Sequence, residues 1–531
     1  MGNCYLLDCT LRDGGYLNDW EFGRNGISNI FSRLVSSNVD VIEVGFLDER
    51  RTFDRNRTIM PDTASVEKIF GEMDPGKSMI VGMIDYGTCG IEKIQPCCES
   101  YLDGIRVIFK KEKMYGALDF CRQIKNLGYK VFVQAVSITS YNEEELKALV
   151  ALVNDCHPYA LSMVDTYGLC DAPTLAEIVK VIDRYLDQDI CLGYHAHNNF
   201  QLGYANAVSV LNLGLKRDVL VDGTLYGMGK SAGNAPLELL AMYMNLHFGS
   251  QYDLGQIQEA ISTCILDLYQ KKPWGYTLFY YIAASNQCHP DYVSYLMNKR
   301  TLSITAINEI LQQIPAEKKL GKDINMLEEL YLSYQATECD DTAAMEALKE
   351  QLCGKHVMMI GPGVSVKTEA EKIREYICKE KPFVISINYI PDDIPNDCLF
   401  LTNSKRYLEI SSTLTKKQNK DLPIIATSNV TKTGGAFSYV LNYGSLIDPD
   451  AEFPDNSMVM LLKVLGKIHV KRVSLAGFDG YTPDNINYFD VKMEYAFVKK
   501  RADALNAYAR EFMTSYKEHT DLHFITPTRY L

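Results

Sequence analysis

The sequence predicts an α/β protein: an N-terminal (β/α)8 TIM barrel with a helical extension, then a C-terminal Rossmann-like α/β domain. Three observations carry this. Eight apolar, β-branched runs occur before residue 225 at intervals of roughly thirty residues, each gap long enough for one amphipathic helix. Chemically capable polar residues close most of those runs. The chain, at 531 residues, is too long for one ordinary core.

The runs are Cys4–Asp8, Asp40–Phe46, Ser78–Ile84, Ile105–Phe109, Val131–Val136, Leu161–Asp165, Ile190–His195 and Asp218–Asp222. Continuous apolar strands separated by helices form a parallel sheet covered on both faces, and eight such units close a barrel whose site lies at the strands' C-terminal ends. Asp8, Glu43, Asp85, Gln134, Asp165, His195 and His197 fall at or near those ends, which favours closure over an open doubly wound sheet. Residues 1–252 are assigned to the barrel and 253–340 to a helical extension completing the active site. That extension includes the aromatic run Lys272-Pro273-Trp274-Gly275-Tyr276-Thr277-Leu278-Phe279-Tyr280-Tyr281. The polar stretch Glu338–Thr342 marks a boundary. Residues 353–531 form the Rossmann-like domain, with strands from Lys355 to the Gly361-Pro362-Gly363 turn and at Phe383–Asn388, Cys398–Thr402, Ile424–Thr427 and Arg472–Ala476, and a helix at Glu369–Lys379.

Composition excludes several classes. Hydrophobic residues at 47% and charged residues at 23% are ordinary globular usage. A formal charge of −13 argues against broad nucleic-acid or anionic-membrane binding. The 15 cysteines lack a disulfide rhythm and read as reduced thiols, and the adjacent pair Cys97-Cys98 suits neither a bridge nor a zinc knuckle. No leader pattern opens the chain, Leu6 stands where a myristoylation signal needs Ser or Thr, and no apolar run approaches the ~20 residues of a membrane span. A cytoplasmic protein is expected.

Three motifs carry chemistry. Asp8-Cys9-Thr10-Leu11-Arg12-Asp13-Gly14 supplies a carboxylate at a strand end. His195-Ala196-His197 places two imidazoles on one side of an extended strand. Gly229-Lys230-Ser231-Ala232-Gly233-Asn234 adds an amide oxygen. Carboxylate, two imidazoles and an amide suit a divalent ion with open positions, Mn²⁺ or Mg²⁺ first and Zn²⁺ as an alternative. Such an ion binds a 2-oxo acid and stabilises its enolate, and Arg12 could offset the charge on the enolate oxygen. Asp165 and Thr166 are either substrate contacts or a loop cap. Glu43 and Gln134 are placed at the mouth as candidate substrate-binding residues, Glu43 with a hydrogen-bonding partner.

These motifs, with Glu43-Val44-Gly45 and Asp165-Thr166-x-Gly168, resemble the metal-dependent superfamily that includes 4-hydroxy-2-oxovalerate aldolase, hydroxymethylglutaryl-CoA lyase and isopropylmalate synthase, most of all the aldolase branch. The resemblance spans residues 1 to about 300. It implies that Asp13, His195 and His197 bind the ion, with Asn234 a secondary ligand and Asp8 a supporting residue, and that Arg12 stabilises the enolate. It implies a tyrosine near the site from the region after the barrel, for which Tyr276 is the candidate. The aldolases carry a histidine base shortly after Arg-Asp-Gly, where this chain has Gly14-Gly15-Tyr16, so Tyr276 or Tyr16 is expected to move the proton.

In the second domain, Ile360-Gly361-Pro362-Gly363-Val364-Ser365 could cradle a phosphate or be an ordinary strand-to-helix turn. Together with Ala476-Gly477-Phe478-Asp479-Gly480-Tyr481 and Thr402-Asn403-Ser404-Lys405-Arg406 it resembles bacterial surface-glycan enzymes of the sialyltransferase-like or motility-accessory type, which implies polysaccharide biosynthesis. The expected activity is a metal-dependent carbon–carbon lyase or synthase joining or separating a 2-oxo acid such as pyruvate and an aldehyde. A Claisen-type acyl-CoA synthase or lyase and a catalytically silent scaffold are the alternatives. We further expect a homo-oligomer and a partner enzyme that handles the aldehyde.

Overall fold

A computed structural model describes residues 2–531 apart from residues 300, 417–418, 449–450, 452, 491–492 and 495. The chain divides into two compact units, Met1–Pro290 and Asp291–Leu531. The helices read as one extension over 253–340 are shared between them: Leu278–Ser285 belongs to the first unit and Ile304–Gln312 to the second.

In the first unit the eight barrel strands are β1 (Cys4–Asp8), β2 (Val41–Leu47), β3 (Met79–Asp85), β4 (Gly104–Phe109), β5 (Lys130–Val136), β6 (Ala160–Asp165), β7 (Cys191–Ala196) and β8 (Val219–Gly223). All pair in parallel, each with its sequence neighbour, and β1 bonds both β2 and β8, which closes the sheet. A two-residue strand, Ile59–Met60, adds to β2. Each predicted run lies within about one residue of its strand, because β-branched apolar runs between helices leave little freedom of register.

The strands' outer side chains join the intervening helices in one apolar layer that includes Ile42, Ile105 and Leu161. Their inner side chains stack in tiers, since side chains two residues apart on a strand share a face. The lowest tier is apolar: Val41, Val81, Phe132, Ala160, Cys191 and Leu220. Two residues on, the inner face turns polar, with Glu43, Arg106, Gln134, Ser162 and Asp222 all buried. Two further on, Ile108, Val136, Val164 and His195 border a cavity at the mouth, which Met83, two residues beyond Val81, borders as well. The barrel is thus a plugged base carrying a charged tier, and the site sits on that tier.

The second unit holds a parallel sheet of β9 (His356–Ile360), β10 (Phe383–Ile387), β11 (Cys398–Leu401), β12 (Ile424–Thr427), β13 (Tyr439–Leu441), β14 (Arg472–Ala476) and β15 (Asp521–Phe524). The order is β13-β12-β11-β10-β9-β14-β15, a doubly wound arrangement with its switch point between β9 and β14. Alternate residues of β9 feed opposite cores: Val357 and Met359 face one, Met358 and Ile360 the other. The sequence reading missed β13 and β15. Both are short edge strands, too brief to show a period. No helix among the described residues is long and apolar enough to cross a membrane.

Candidate active site at the barrel mouth

After β1 the chain makes one helical turn, Thr10–Asp13. Asp8 holds it from below, its carboxylate accepting from the Thr10 amide at 3.0 Å and the Thr10 hydroxyl at 2.6 Å. Thr10 Oγ1 also accepts from the Leu225 amide at 2.8 Å, which ties the first mouth loop to the last. The turn aims Arg12 and Asp13, both buried, into the cavity. Asp8 is a support, as the resemblance implied.

His195 and His197 lie on one side of the β7 end, with ring centroids 5.1 Å apart. Their Nε2 atoms stand 3.5 Å and 4.0 Å from Asp13 Oδ2. Their Nδ1 atoms are both committed, His195 to Asp222 Oδ2 at 2.9 Å and His197 to the Lys230 carbonyl at 3.0 Å. A carbonyl only accepts, so His197 Nδ1 carries the proton and its Nε2 lone pair faces Asp13; Asp222 asks the same of His195. Ligand atoms of Asp13, His195 and His197 fall within 4.8 Å of one another. Burial pushes the His197 imidazole down to about 4, so it is neutral at physiological pH. Burial alone would raise Asp13, but Arg12 and the two imidazoles hold its carboxyl well below the ordinary range.

Asn234 completes the set. It lies across an isolated β-bridge from His197, and its Nδ2 donates to the Met228 carbonyl at 3.3 Å. Its Oδ1 is buried with no hydrogen-bond partner, a costly state that a cation would relieve. Two imidazole nitrogens, a carboxylate kept ionised and an unsatisfied amide oxygen fit a divalent cation; burial lowers His195 as well, but its bonds to Asp13 and Asp222 outweigh this and raise it above the ordinary imidazole value. Gly229 makes room for this: a Cβ there would lie 2.2 Å from Asn234 Nδ2 and 2.9 Å from Asp13 Oδ1.

Beneath the four lies a network of which the sequence reading named Glu43 and Gln134, as candidate substrate-binding residues, and missed Arg106, Ser162 and Asp222. Arg106, fully buried, ion-pairs with Asp222 and stands 3.0 Å from Glu43 Oε2, and it donates to Gln134 Oε1 at 3.0 Å. Glu43 in turn accepts from Arg12 Nε at 2.7 Å, while Arg12 NH1 bonds Asp13. Glu43 therefore aims Arg12. Gln134 borders the cavity and donates to Ser162 Oγ at 2.9 Å. The signal was present: an arginine in the middle of Gly-Ile-Arg-Val-Ile-Phe, and an aspartate ending an apolar run, both at inward positions.

The structure separates the remaining candidates. Thr166 lines the cavity and accepts from the Ser137 amide at 2.8 Å. Asp165 does not line it. Its carboxylate accepts from the Leu169 and Cys170 amides at 2.8 Å and 3.1 Å, the loop-capping alternative. Tyr16 lines the cavity, with Lys230 Nζ 5.1 Å from its ring centre. Tyr276 is 51% exposed and is not among the lining residues. Trp274 anchors to the Tyr226 carbonyl at 2.9 Å, and Gly275, at φ +125°, turns the following chain away. The position corresponding to the aldolase histidine is filled differently. The Trp20 indole packs so closely that a Cβ on Gly15 would lie 2.0 Å from it, so no larger residue fits at 15.

In the second unit, the Gly361–Gly363 turn meets a carboxylate of the chain itself. Asp479 accepts from the Ser365 amide at 2.8 Å and from its hydroxyl. A Cβ on Gly361 or Gly363 would strike the Gly477 carbonyl, so these glycines serve the close approach of two loops.

A closed barrel carries a carboxylate–imidazole–amide cluster at its mouth, a candidate metal site, and comparison with known proteins points to an enzyme family. Residues 3–264 match the HMGL-like family model, and the chain carries an HMGL-like domain there. Over 278 residues it is 24% identical to oxaloacetate decarboxylase of Mycobacterium tuberculosis, covering 51% of this chain and 78% of that protein. It is 22% identical to 4-hydroxy-2-oxovalerate aldolase 6 of Rhodococcus jostii, over 49% and 73% of the two chains. A 2-isopropylmalate synthase of Sulfolobus acidocaldarius is 26% identical over 47% and 64%. The family is one of aldolases, lyases and synthases.

Proposed function

We propose that the barrel is a divalent-metal-dependent carbon–carbon lyase or synthase of aldolase type, acting on a 2-oxo acid such as pyruvate with an aldehyde as the second reactant. The observation that carries this is the convergence of Asp13, His195 Nε2, His197 Nε2 and the unsatisfied Asn234 Oδ1 beside Arg12. A divalent cation held by these four supplies Lewis-acid polarisation of a carbonyl. The small cavity above them, about 50 Å³, suits a reactant of few atoms.

The chain's own residues supply the rest. Arg12, fixed by Glu43 and Asp13, is a stationary positive charge where negative charge develops on the ketone oxygen. Tyr16 is the phenol that borders the cavity. Burial and the Asp13 charge raise its pKa, so it keeps its proton at neutral pH and serves as a donor to the aldehyde oxygen.

The test is exchange of the pyruvate methyl protons with D₂O, followed by NMR. Exchange should require Mn²⁺ or Mg²⁺ and should vanish in His195→Ala or His197→Ala together with metal content. Arg12→Lys should retain metal yet exchange about 10²–10³-fold more slowly, since lysine keeps the charge without the planar fork. Absence of exchange with every divalent metal would refute the reading.

A further inference from the structure

A second cavity, about 250 Å³, opens beside the first at the same end of the barrel. Tyr16 is a wall of both, and β3 contributes to both, Met83 to the first and Asp85 to the second. Nothing in the chemistry above uses it.

Its lining has a definite character. One side is aromatic: Tyr16 packs edge-on against Trp20 at 4.9 Å and Trp20 against Phe46 at 5.6 Å. The rest is charged but balanced, with two guanidinium groups, Arg50 and Arg51, and two carboxylates, Asp48 and Asp85. Arg50 grips Asp48 through two 2.7 Å bonds, and Arg51 bonds Asp19 at 2.7 Å, so each arginine is held in place. A guanidinium has five N–H donors, and these pairings leave others over. Asp85, an exposed residue at the end of β3, lines the cavity and leaves its carboxylate oxygens available to a ligand in exchange for water. A site for an anion would show excess positive charge, and one for a short alkyl aldehyde would be apolar. Fixed donors and acceptors beside aromatic rings, with Arg51 Cζ 5.8 Å from the Trp20 ring centre, match a chain bearing a hydroxyl on each carbon, whose O–H groups both donate and accept and whose C–H face packs on rings.

We infer that this cavity is the acceptor subsite and that the aldehyde is polyhydroxylated: an aldose or a close derivative, not a simple alkyl aldehyde. The inference rests on the aldol reading above. In that reaction the pyruvate methyl carbon gives one proton to water and bonds the aldehyde carbon; the aldehyde C=O π pair moves onto its oxygen, which takes one proton from Tyr16, and the proton held by water restores the phenol. The shared Tyr16 wall places the donor between the two reactants.

The experiment uses the full-length metal-loaded protein with pyruvate and a series of aldehydes: acetaldehyde, D-glyceraldehyde, D-erythrose, D-arabinose and erythrose 4-phosphate. The kcat/KM for erythrose or arabinose should exceed that for acetaldehyde by about 100-fold, and Asp85→Ala should lower it about 10–100-fold, the range of one or two hydrogen bonds to a charged group. The acetaldehyde rate and pyruvate exchange should not change in that variant. In parallel, saturation-transfer NMR should show D-arabinitol binding the wild type and not Asp85→Ala. Acetaldehyde performing as well as the aldoses would overturn the assignment, and so would a strong preference for the phosphorylated aldose. If pyruvate exchange is absent while arabinitol still binds in an Asp85-dependent way, the aldolase reading fails and the polyol pocket stands.

Discussion

Asp222 shows how a residue that touches no reactant can govern the site. Its Oδ2 accepts from His195 Nδ1 and also pairs with Arg106, so one carboxylate fixes the imidazole's tautomer and neutralises a buried guanidinium. Asp222→Ala should weaken binding of Mn²⁺ about 10–100-fold, as measured by calorimetry, since outer partners of metal-binding histidines have effects of that size. Unaltered affinity would mean that His195 is oriented by packing alone. Asp8 makes a pH-dependent contribution. Burial pushes its carboxyl up to about 7, above the unfolded value near 4, so between those values the native state holds a proton that the unfolded chain has released. Stability from this group is therefore full at low pH and is lost as pH rises through 7. Between pH 6 and 8 the loss should be about 1 kcal/mol. Urea denaturation of wild type and Asp8→Asn at both pH values checks this: the variant should lose less stability over that interval, and equal slopes would show that Asp8 does not titrate there.

At the scale of elements, the turn between β8 and the helix Leu237–Phe248 does more than connect. Its backbone donates the Lys230 amide to Asp13 Oδ1 at 2.8 Å and its Lys230 carbonyl accepts from His197, so one loop positions two candidate ligands and delivers a third, Asn234. Gly229 runs beside both Asp13 and Asn234, where a Cβ would strike them. Gly229→Ala should therefore lower metal occupancy at least about 10-fold with the far-UV circular dichroism unchanged, because the clash falls on ligands and not on the barrel core. Full occupancy in that variant would show that Asn234 can shift without consequence. The helix Glu143–Cys156 is positioned by ordinary means, an Asn142–Glu145 capping box readable in the sequence as Asn-x-x-Glu.

For the whole molecule, each unit buries its own core, the first around the barrel and the second on both faces of its sheet. A fragment ending at Pro290 should express as a folded protein with one cooperative thermal transition and bind metal like the full chain. A fragment ending near residue 252 would lack Trp274, which packs into the barrel core and bonds Tyr226, and should be less stable by about 3–5 kcal/mol for that side chain alone. Equal stability of the two fragments, compared by urea midpoint, would show that Trp274 contributes nothing to the barrel.

What the sequence by itself determined is whatever depends on local spacing. Apolar runs about five residues long could only be strands, and an i, i+2 histidine pair could only share a face. Of the candidate site, the His195–His197 pair was legible from its spacing and Arg12 and Asn234 from their motifs, whereas Asp13 over Asp8 followed only from the family resemblance. The tertiary structure decided what depends on tiers formed across strands. Arg106, Glu43 and Asp222 come from three different strands, and no spacing along the chain says that their inward positions fall at one height in the barrel. The same holds for the two tyrosines: Tyr276 belongs to an aromatic segment anchored by Trp274 and is itself half-exposed, whereas Tyr16 is held at the mouth because Trp20 folds back onto Gly15. Closure of the barrel, a long-range event, sets which polar residues share a buried tier, and so which charges must neutralise one another.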